Sequence, residues 1–362
     1  MIMKSINKNE LFKRQTTLAE LGEIGQEKLQ NAGVLVVGCG GLGGSIAVQL
    51  AASGIGKIHL VDFDNIEVSN LHRQVFFSLE DVGKSKAETL SNYIKKRAPF
   101  TQVNFTKLAL SKFNVFELIA KADVVVDATD SLPTKYLLND ASVLKNTPLV
   151  YGSLYKFDGY VASFNVKQKD ESFSANLRDA FPEMAIDIPN CEEAGTMNAI
   201  VSLIASLQVN EVLKLIIGIG KPLINQLLVI NSLQNSQLKI KVPNKFSKKA
   251  IESIFKNETY SDPSCEIQNP DWLISAEELK KTLTSPPTAR PILIGVLEGL
   301  KTSLPLEKIV MLSQLDNLEV DPSKKYVFVC QKGLTSYRAV QVLKQRYPEG
   351  ILLSLEGGIA NY

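Results

Sequence analysis

Apolar and polar positions along this chain alternate between two periods. Gly33-Val34-Leu35-Val36-Val37-Gly38 is a short β-branched run, residues 42–53 repeat at helical spacing, and Lys57-Ile58-His59-Leu60-Val61-Asp62 is a second strand-like run. Together they predict a βαβ unit, and strands that stay apolar without alternation predict a parallel sheet covered on both faces. Further strands are predicted over 102–108, 123–127, 148–151 and 160–166, with helices over 84–96 and 134–145. The first two-thirds therefore reads as an α/β domain with a doubly wound, mainly parallel sheet. The most apolar stretch, 197–220, is interrupted by Asn198, Gln208, Asn210, Glu211 and Lys214, which predicts a buried helix rather than a membrane span.

Between residues 243 and 271 the composition shifts to Lys, Asn, Ser, Glu and Pro, the pattern of a linker holding at most one short helix. A smaller α/β domain is expected after it, with strands over 291–295, 326–330 and 351–355 and a helix over 336–346. The division is then 1–242, a linker 243–271, and 272–362, in keeping with a length of 362 residues. A net charge of +2 supplies no field that would gather nucleic acid or an anionic membrane, so any partner must be read by a local site. The first fifteen residues lack the apolar core of a signal peptide, and the four scattered cysteines suit a reducing compartment, so a cytoplasmic location is expected.

Gly38-Cys39-Gly40-Gly41-Leu42-Gly43 matches G-x-G-x-x-G between a predicted strand and helix, where glycines permit a tight turn and phosphate can rest on the helix N-terminus. Asp62, at the end of the second strand, is placed to accept from ribose hydroxyls. These features alone fit NAD, FAD or ATP, and a NAD-dependent oxidoreductase is one reading of them. The residues beyond the second strand narrow the choice: Asp62-Phe63-Asp64-Asn65-Ile66-Glu67-Val68-Ser69-Asn70-Leu71-His72-Arg73-Gln74, then Lys86, then Asp127-Ala128-Thr129-Asp130.

This ordered set, from about Leu11 to Val242, resembles the HesA/MoeB/ThiF family of ubiquitin-activating-like adenylyltransferases. The resemblance implies a Rossmann-like ATP-binding fold in which ATP occupies the glycine loop. It implies nucleotide contacts from Gly38, Gly40, Gly41, Gly43, Asp62, Asp64, Ser69, Asn70, Leu71, His72 and Ser131, phosphate contacts from Asn70, Arg73 and Lys86, and Mg²⁺ on Asp130. Arg14, in Arg14-Gln15, would reach the neighbouring subunit's site, which implies a homodimer. The chemistry agrees: a carboxylate attacking the α-phosphate builds charge on phosphate oxygens, and fixed cations with Mg²⁺ meet it. Taken singly, Arg73 and Lys86 could be solvated charges and Asp130 a helix N-cap ahead of Pro133. Ser131 and Lys135 stand where the family has Asn and Arg, and lysine cannot make arginine's bidentate contacts.

The four cysteines separate by context. Cys39 inside the glycine loop reads as a small packing residue. Cys191, in Pro189-Asn190-Cys191-Glu192-Glu193, resembles the family's crossover-loop thiol, which can form a thioester or acyl disulfide. The family's zinc-binding Cys-x-x-Cys pairs are reduced here to Cys265, with Ser172-Phe173-Ser174-Ala175-Asn176 in place of the first pair, so no zinc is expected. Cys330 opens Cys330-Gln331-Lys332-Gly333-Leu334-Thr335-Ser336, and with Leu355-Glu356-Gly357-Gly358-Ile359 it resembles the active loop and closing motif of a rhodanese domain. Gly295 and Thr335 depart from that pattern, and a buried core cysteine at a strand end is the plain alternative.

The resemblances together imply ATP-dependent adenylylation of the C-terminal glycine of a ubiquitin-like sulfur carrier ending in Gly-Gly, then sulfur transfer to give a thiocarboxylate, in molybdopterin or thiamine synthesis. Cys330 would receive sulfur from a persulfide donor such as a cysteine desulfurase. The competing non-catalytic reading is a dimeric scaffold whose rhodanese-like domain only docks partners.

Overall fold

The computed structural model describes residues 6–184, 195–260, 269–286, 290–297, 299–300, 302–331 and 333–362. These form two compact units, one reaching Tyr260 and the other beginning beyond it.

The first unit is built on an eight-stranded sheet in the order β3-β2-β1-β4-β5-β6-β7-β8. Its parallel half is β1 (Gly33–Val37), β2 (Lys57–Val61), β3 (Gln102–Thr106), β4 (Val124–Asp127) and β5 (Leu149–Tyr155). Every residue of β1 and β4 is buried, which is why these strands read as continuous apolar runs. The antiparallel half, β6 (Asp158–Phe164), β7 (Gln226–Asn231) and β8 (Ser236–Lys241), ends in an edge strand exposed along its whole length.

Helices α1 (Lys8–Thr16), α2 (Gly22–Asn31), α3 (Gly41–Ala52), α4 (Lys86–Lys95), α5 (Val115–Ile119), α6 (Leu132–Lys145) and α7 (Leu177–Ala180) precede the long helix α8 (Asn198–Ile217). By length and composition α8 could cross a membrane, but it packs on α3, β5 and β6 and buries Val201, Ile204, Ala205, Gln208, Val209 and Val212. The residues that interrupt its apolar run include Gln208 and Glu211, both buried and both hydrogen-bonded to the sheet side of the fold.

The expected linker contains a ten-residue helix, α9 (Lys248–Asn257), that belongs to the first unit. Ser247 caps it, accepting from the Ala250 amide, and Ile251 and Phe255 bury one face against α6. Phe255 stacks against Phe116 and Tyr260, and Lys112 lies over both Phe255 and Tyr260. The chain therefore leaves the first unit after Tyr260 rather than at Val242.

The second unit is a five-stranded parallel sheet in the order β11-β10-β12-β13-β9. Its strands are β9 (Leu273–Ile274), β10 (Ile292–Gly295), β11 (Lys308–Ile309), β12 (Lys325–Val329) and β13 (Ile351–Leu355), with helices α10 (Ala276–Leu283) and α11 (Leu334–Arg346).

Candidate functional site

The turn between β1 and α3 can be made only of glycine at three points. Gly38 has φ +93°, and a Cβ there would lie 2.6 Å from the Ala128 carbonyl. A Cβ on Gly43 would fall 1.7 Å from the Gly38 carbonyl, and one on Gly41 would fall 2.7 Å from Val201 Cγ1 and 3.3 Å from the Arg73 carbonyl. The loop is thus wedged between β4, α8 and the Arg73 turn, leaving bare backbone at the start of α3, the arrangement that accepts phosphate.

Asp62 ties this loop to β2. One carboxylate oxygen accepts from the Cys39 amide at 2.6 Å and the other from the Asp64 amide at 2.8 Å, and each retains a lone pair for a further donor. Burial pushes the Asp62 carboxyl up to about 6; Lys86 opposes the rise, Asp64 adds to it, and the two amides oppose it. Burial also pushes the Cys39 thiol well above its usual range, and Asp62 pushes it further.

Lys86 opens α4 behind the Ser85 cap, and its Nζ donates to Asp64 Oδ2 at 2.7 Å. Burial alone would lower it, but Asp62, Asp64 and Asp130 together hold it above its ordinary value, so it stays a cation. Its side chain is only 9% exposed while that of Asp64 is 45% exposed, which makes Asp64 the partner free to move when a phosphate arrives. One cation and three carboxylates thus share the space beside the glycine loop.

Asp130 follows β4. The cap of α6 is Ser131, whose Oγ accepts from the Thr134 amide at 3.3 Å, so Asp130 is spared that structural duty. The Asp127-to-Asp130 turn is fixed from within the protein. Buried Lys135 donates to Asp127 Oδ2 at 3.0 Å and to the Gly152 carbonyl at 2.8 Å, while Asp127 Oδ1 accepts from the amide and hydroxyl of Thr129 at 3.0 and 2.8 Å. The lysine that replaces the family's arginine therefore serves as an interior brace.

The segment after Asp64 folds back over the loop. Ser69 and Asn70 lie in a 3-10 turn, and Leu71 packs into the core. Arg73 donates to the Ser69 carbonyl at 3.2 Å and lies 2.8 Å from exposed His72 Nε2. Asn70 and Gln74, one helical turn apart, are both buried, and each has a side-chain oxygen with no hydrogen-bond donor among the described residues. Gln74 Nε2 lies close to Gly40. Gln74 carries no role in the sequence reading; its spacing from Asn70 was the available signal.

Arg14 is exposed on α1, which anchors through buried Phe12 beside Gly54 and through Gln15 Nε2, donating to the Ser53 carbonyl at 2.9 Å. Those anchors lie at the far end of α3, roughly 18 Å along its axis from the glycine loop. Cys191 and Cys265 lie outside the described residues, and among the described residues no group of three His, Cys, Asp or Glu side chains is placed to hold a metal.

In the second unit Cys330 follows β12 and is fully buried. Its Sγ accepts from the amides of Gly333 and Ser336 at 3.1 and 3.3 Å. Gly333 has φ +84°, and Gly358 sits so near that a Cβ on it would lie 2.5 Å from the Cys330 carbonyl. The Ile359 amide donates to that same carbonyl at 3.0 Å, closing the Gly357-Gly358 turn on the loop. Lys332 lies outside the described residues.

A doubly wound sheet with a glycine turn, a buried lysine and converging carboxylates at its strand ends defines a nucleotide-binding protein of the adenylating class. Residues 12–251 match the model of the ThiF family, and the chain belongs to that family. It is 41% identical over 233 residues to the sulfur carrier protein adenylyltransferase of Thermus thermophilus, covering 64% of this chain and 86% of that protein. It is 32% identical over 375 residues to the adenylyltransferase and sulfurtransferase MOCS3 of Drosophila sechellia, covering 96% of this chain and 81% of that one. The crystal structure of Escherichia coli MccB with ATP superposes with a TM-score of 0.56 at 25% identity, over 66% of this chain and 73% of that one. The chain is accordingly an adenylyltransferase.

Proposed function

We propose that the first unit uses ATP to adenylylate the C-terminal glycine of a ubiquitin-like sulfur carrier, and that the second unit, a rhodanese-like domain, carries the sulfur that replaces AMP. The observation behind the first half is the cluster of Lys86 with Asp62, Asp64 and Asp130 beside a glycine loop whose backbone is bare. A nicotinamide site would need the loop and Asp62 but gives Lys86 and Asp130 no work.

In this reading the α3 N-terminus and Lys86 take the phosphates, and Asp62 accepts from the ribose. Lys86 leaves Asp64 for the nucleotide, and Asn70 and Arg73 close over the phosphates. Mg²⁺ suits Asp130, since this ion is commonly held by one or two carboxylates together with substrate phosphates, and when bound it neutralises charge on the departing pyrophosphate. The carrier's carboxylate oxygen bonds to the α-phosphorus as the bond to pyrophosphate breaks. Arg14 reaches the site of a second subunit in a homodimer, because its own helix docks at the wrong end of α3.

The terminal sulfur of a Cys330 persulfide then attacks the acyl carbon and expels AMP. The resulting acyl disulfide yields a thiocarboxylate when a second thiol attacks Cys330 Sγ, and Cys191 is the residue the sequence supplies. The persulfide would come from a donor such as a cysteine desulfurase, and the thiocarboxylate would serve molybdopterin or thiamine synthesis. Carrier-dependent exchange of labelled pyrophosphate into ATP, lost in Asp130→Ala, is the test. No exchange with any carrier ending in Gly-Gly refutes the proposal.

A further inference from the structure

Two serine hydroxyls stand behind Cys330, and their role rests on the reading of this cysteine as the sulfur carrier. Ser336 Oγ lies 3.4 Å from Cys330 Sγ and 2.8 Å from Ser354 Oγ. Both hydroxyls also reach the Gly333 carbonyl, at 3.1 Å from Ser336 and 3.3 Å from Ser354. Ser336, Ser354 and Cys330 are all fully buried, so no water competes for these protons. Ser354 is fixed by its register on β13, opposite Phe328 of β12, and Ser336 by the first turn of α11.

Counting protons decides what the pair can do. Two hydroxyl protons face the Gly333 carbonyl, the sulfur and each other's oxygens. When Ser354 donates to the carbonyl, the Ser336 proton is released to the sulfur. An anionic sulfur then receives the amides of Gly333 and Ser336 and one hydroxyl. When the sulfur is protonated, Ser336 can turn its proton back to the carbonyl, so neither state leaves a buried hydroxyl unpaired.

We propose that Ser336, released by Ser354, is a positioning residue that holds the Cys330 sulfur as an anion ready to accept sulfur. Charged and titratable side chains nearest the pair along the packing elements are Tyr337 and Arg338 of α11 and Glu356 after β13, with Lys325, Tyr326, Lys344 and Arg346 farther along β12 and α11. The Tyr337 hydroxyl is already occupied, accepting from the Asn269 amide at 2.7 Å. The Gly333 and Ser336 amides and the Ser336 hydroxyl that meet the sulfur are neutral dipoles, and deleting one of them is felt directly.

The test is made on the full chain. Thiolate ultraviolet absorbance is followed against pH, and the part lost in Cys330→Ala is assigned to Cys330. In Ser336→Ala this signal is expected at more alkaline pH. Sulfur uptake from thiosulfate should fall about tenfold near neutrality and recover in alkali, because a hydrogen bond to a charged group is worth a factor of ten or more. Ser336→Thr, which keeps the hydroxyl, restores both, and Ser354→Ala shifts the signal in the same direction by less. A Ser336→Ala curve that superimposes on the wild type overturns the proposal; should that variant not fold, an unmoved Ser354→Ala curve does so. A displaced thiolate signal in a protein that takes up no sulfur refutes sulfur carriage at Cys330 and leaves the hydroxyl pair standing.

Discussion

The proposed ribose contact at Asp62 predicts a nucleotide affinity that depends on pH, with a sign that follows from the burial of this carboxyl. Burial raises it from 3.8 to about 6, a difference of about 3 kcal/mol between its two protonation states. Since the folded value is raised, this group favours the folded state fully below its unfolded value, and that contribution is lost as pH rises through about 6. Near neutrality the ligand-free protein thus holds a carboxylate it has partly desolvated, with room for more donors. Under the proposed function ribose hydroxyls supply them, so binding favours the ionised form, and protonation competes with binding. For a bound-state value at or below its ordinary one, affinity is expected to fall about tenfold between pH 7 and pH 5. The assay is calorimetric titration with adenosine 5′-sulfamate, whose sulfamate does not lose or gain charge as a phosphate monoester would. In Asp62→Asn the loss should vanish, along with part of the affinity, because an amide cannot accept from both Cys39 and Asp64. A parallel pH profile in wild type and Asp62→Asn would refute the assignment.

Two further perturbations separate chemistry from support. Lys86→Met should reduce pyrophosphate exchange by about a hundredfold or more while leaving the thermal transition in place, since under the proposed function it removes the buried cation that faces the phosphates. Lys135→Met should instead destabilise the first unit by about 3–5 kcal/mol, read as a drop in the urea midpoint, because Asp127 would be left buried without its cation. Lys135→Arg retains the charge and should recover most of that loss.

Strands β1 and β4 were legible because buried parallel strands are apolar throughout, and strands expected over 102–108, 123–127, 148–151 and 160–166 occur at Gln102–Thr106, Val124–Asp127, Leu149–Tyr155 and Asp158–Phe164, the last of them antiparallel to its neighbours. The edge strand β8 gave no comparable signal, since it is exposed throughout and reads as polar chain, whereas β7 carries the apolar run Leu227-Leu228-Val229-Ile230. The composition allows one short helix between residues 243 and 271, and Lys248–Asn257 is there; that it belongs to the first unit is shown only by its packing on α6. At the site, the order of glycines, Asp62, Lys86 and Asp130 was readable. The brace from Lys135 to Asp127, the pairing of Lys86 with Asp64 and the hydroxyls behind Cys330 depend on which groups meet across the fold, and spacing alone does not encode that.

The two candidate sites are one local device filled in two ways. Each lies where a parallel strand turns through glycine into a helix, β1 into α3 and β12 into α11, so that backbone amides converge on one point. Each turn also contains a fully buried cysteine, Cys39 in the first and Cys330 in the second. What faces the sulfur decides its fate. Cys39 is pushed toward the neutral thiol by burial and by the Asp62 carboxylate, whose own oxygen takes the Cys39 amide, and under the proposed function the charge at this turn arrives with a phosphate. Cys330 is met by two amides and a hydroxyl and by no described carboxylate hydrogen bond, and under the proposed function this turn carries the covalently held sulfur. Under the proposed function the first turn binds charge that arrives with a ligand and the second holds sulfur on a covalent carrier. Exchanging the facing groups, rather than the cysteines, is what would exchange their roles.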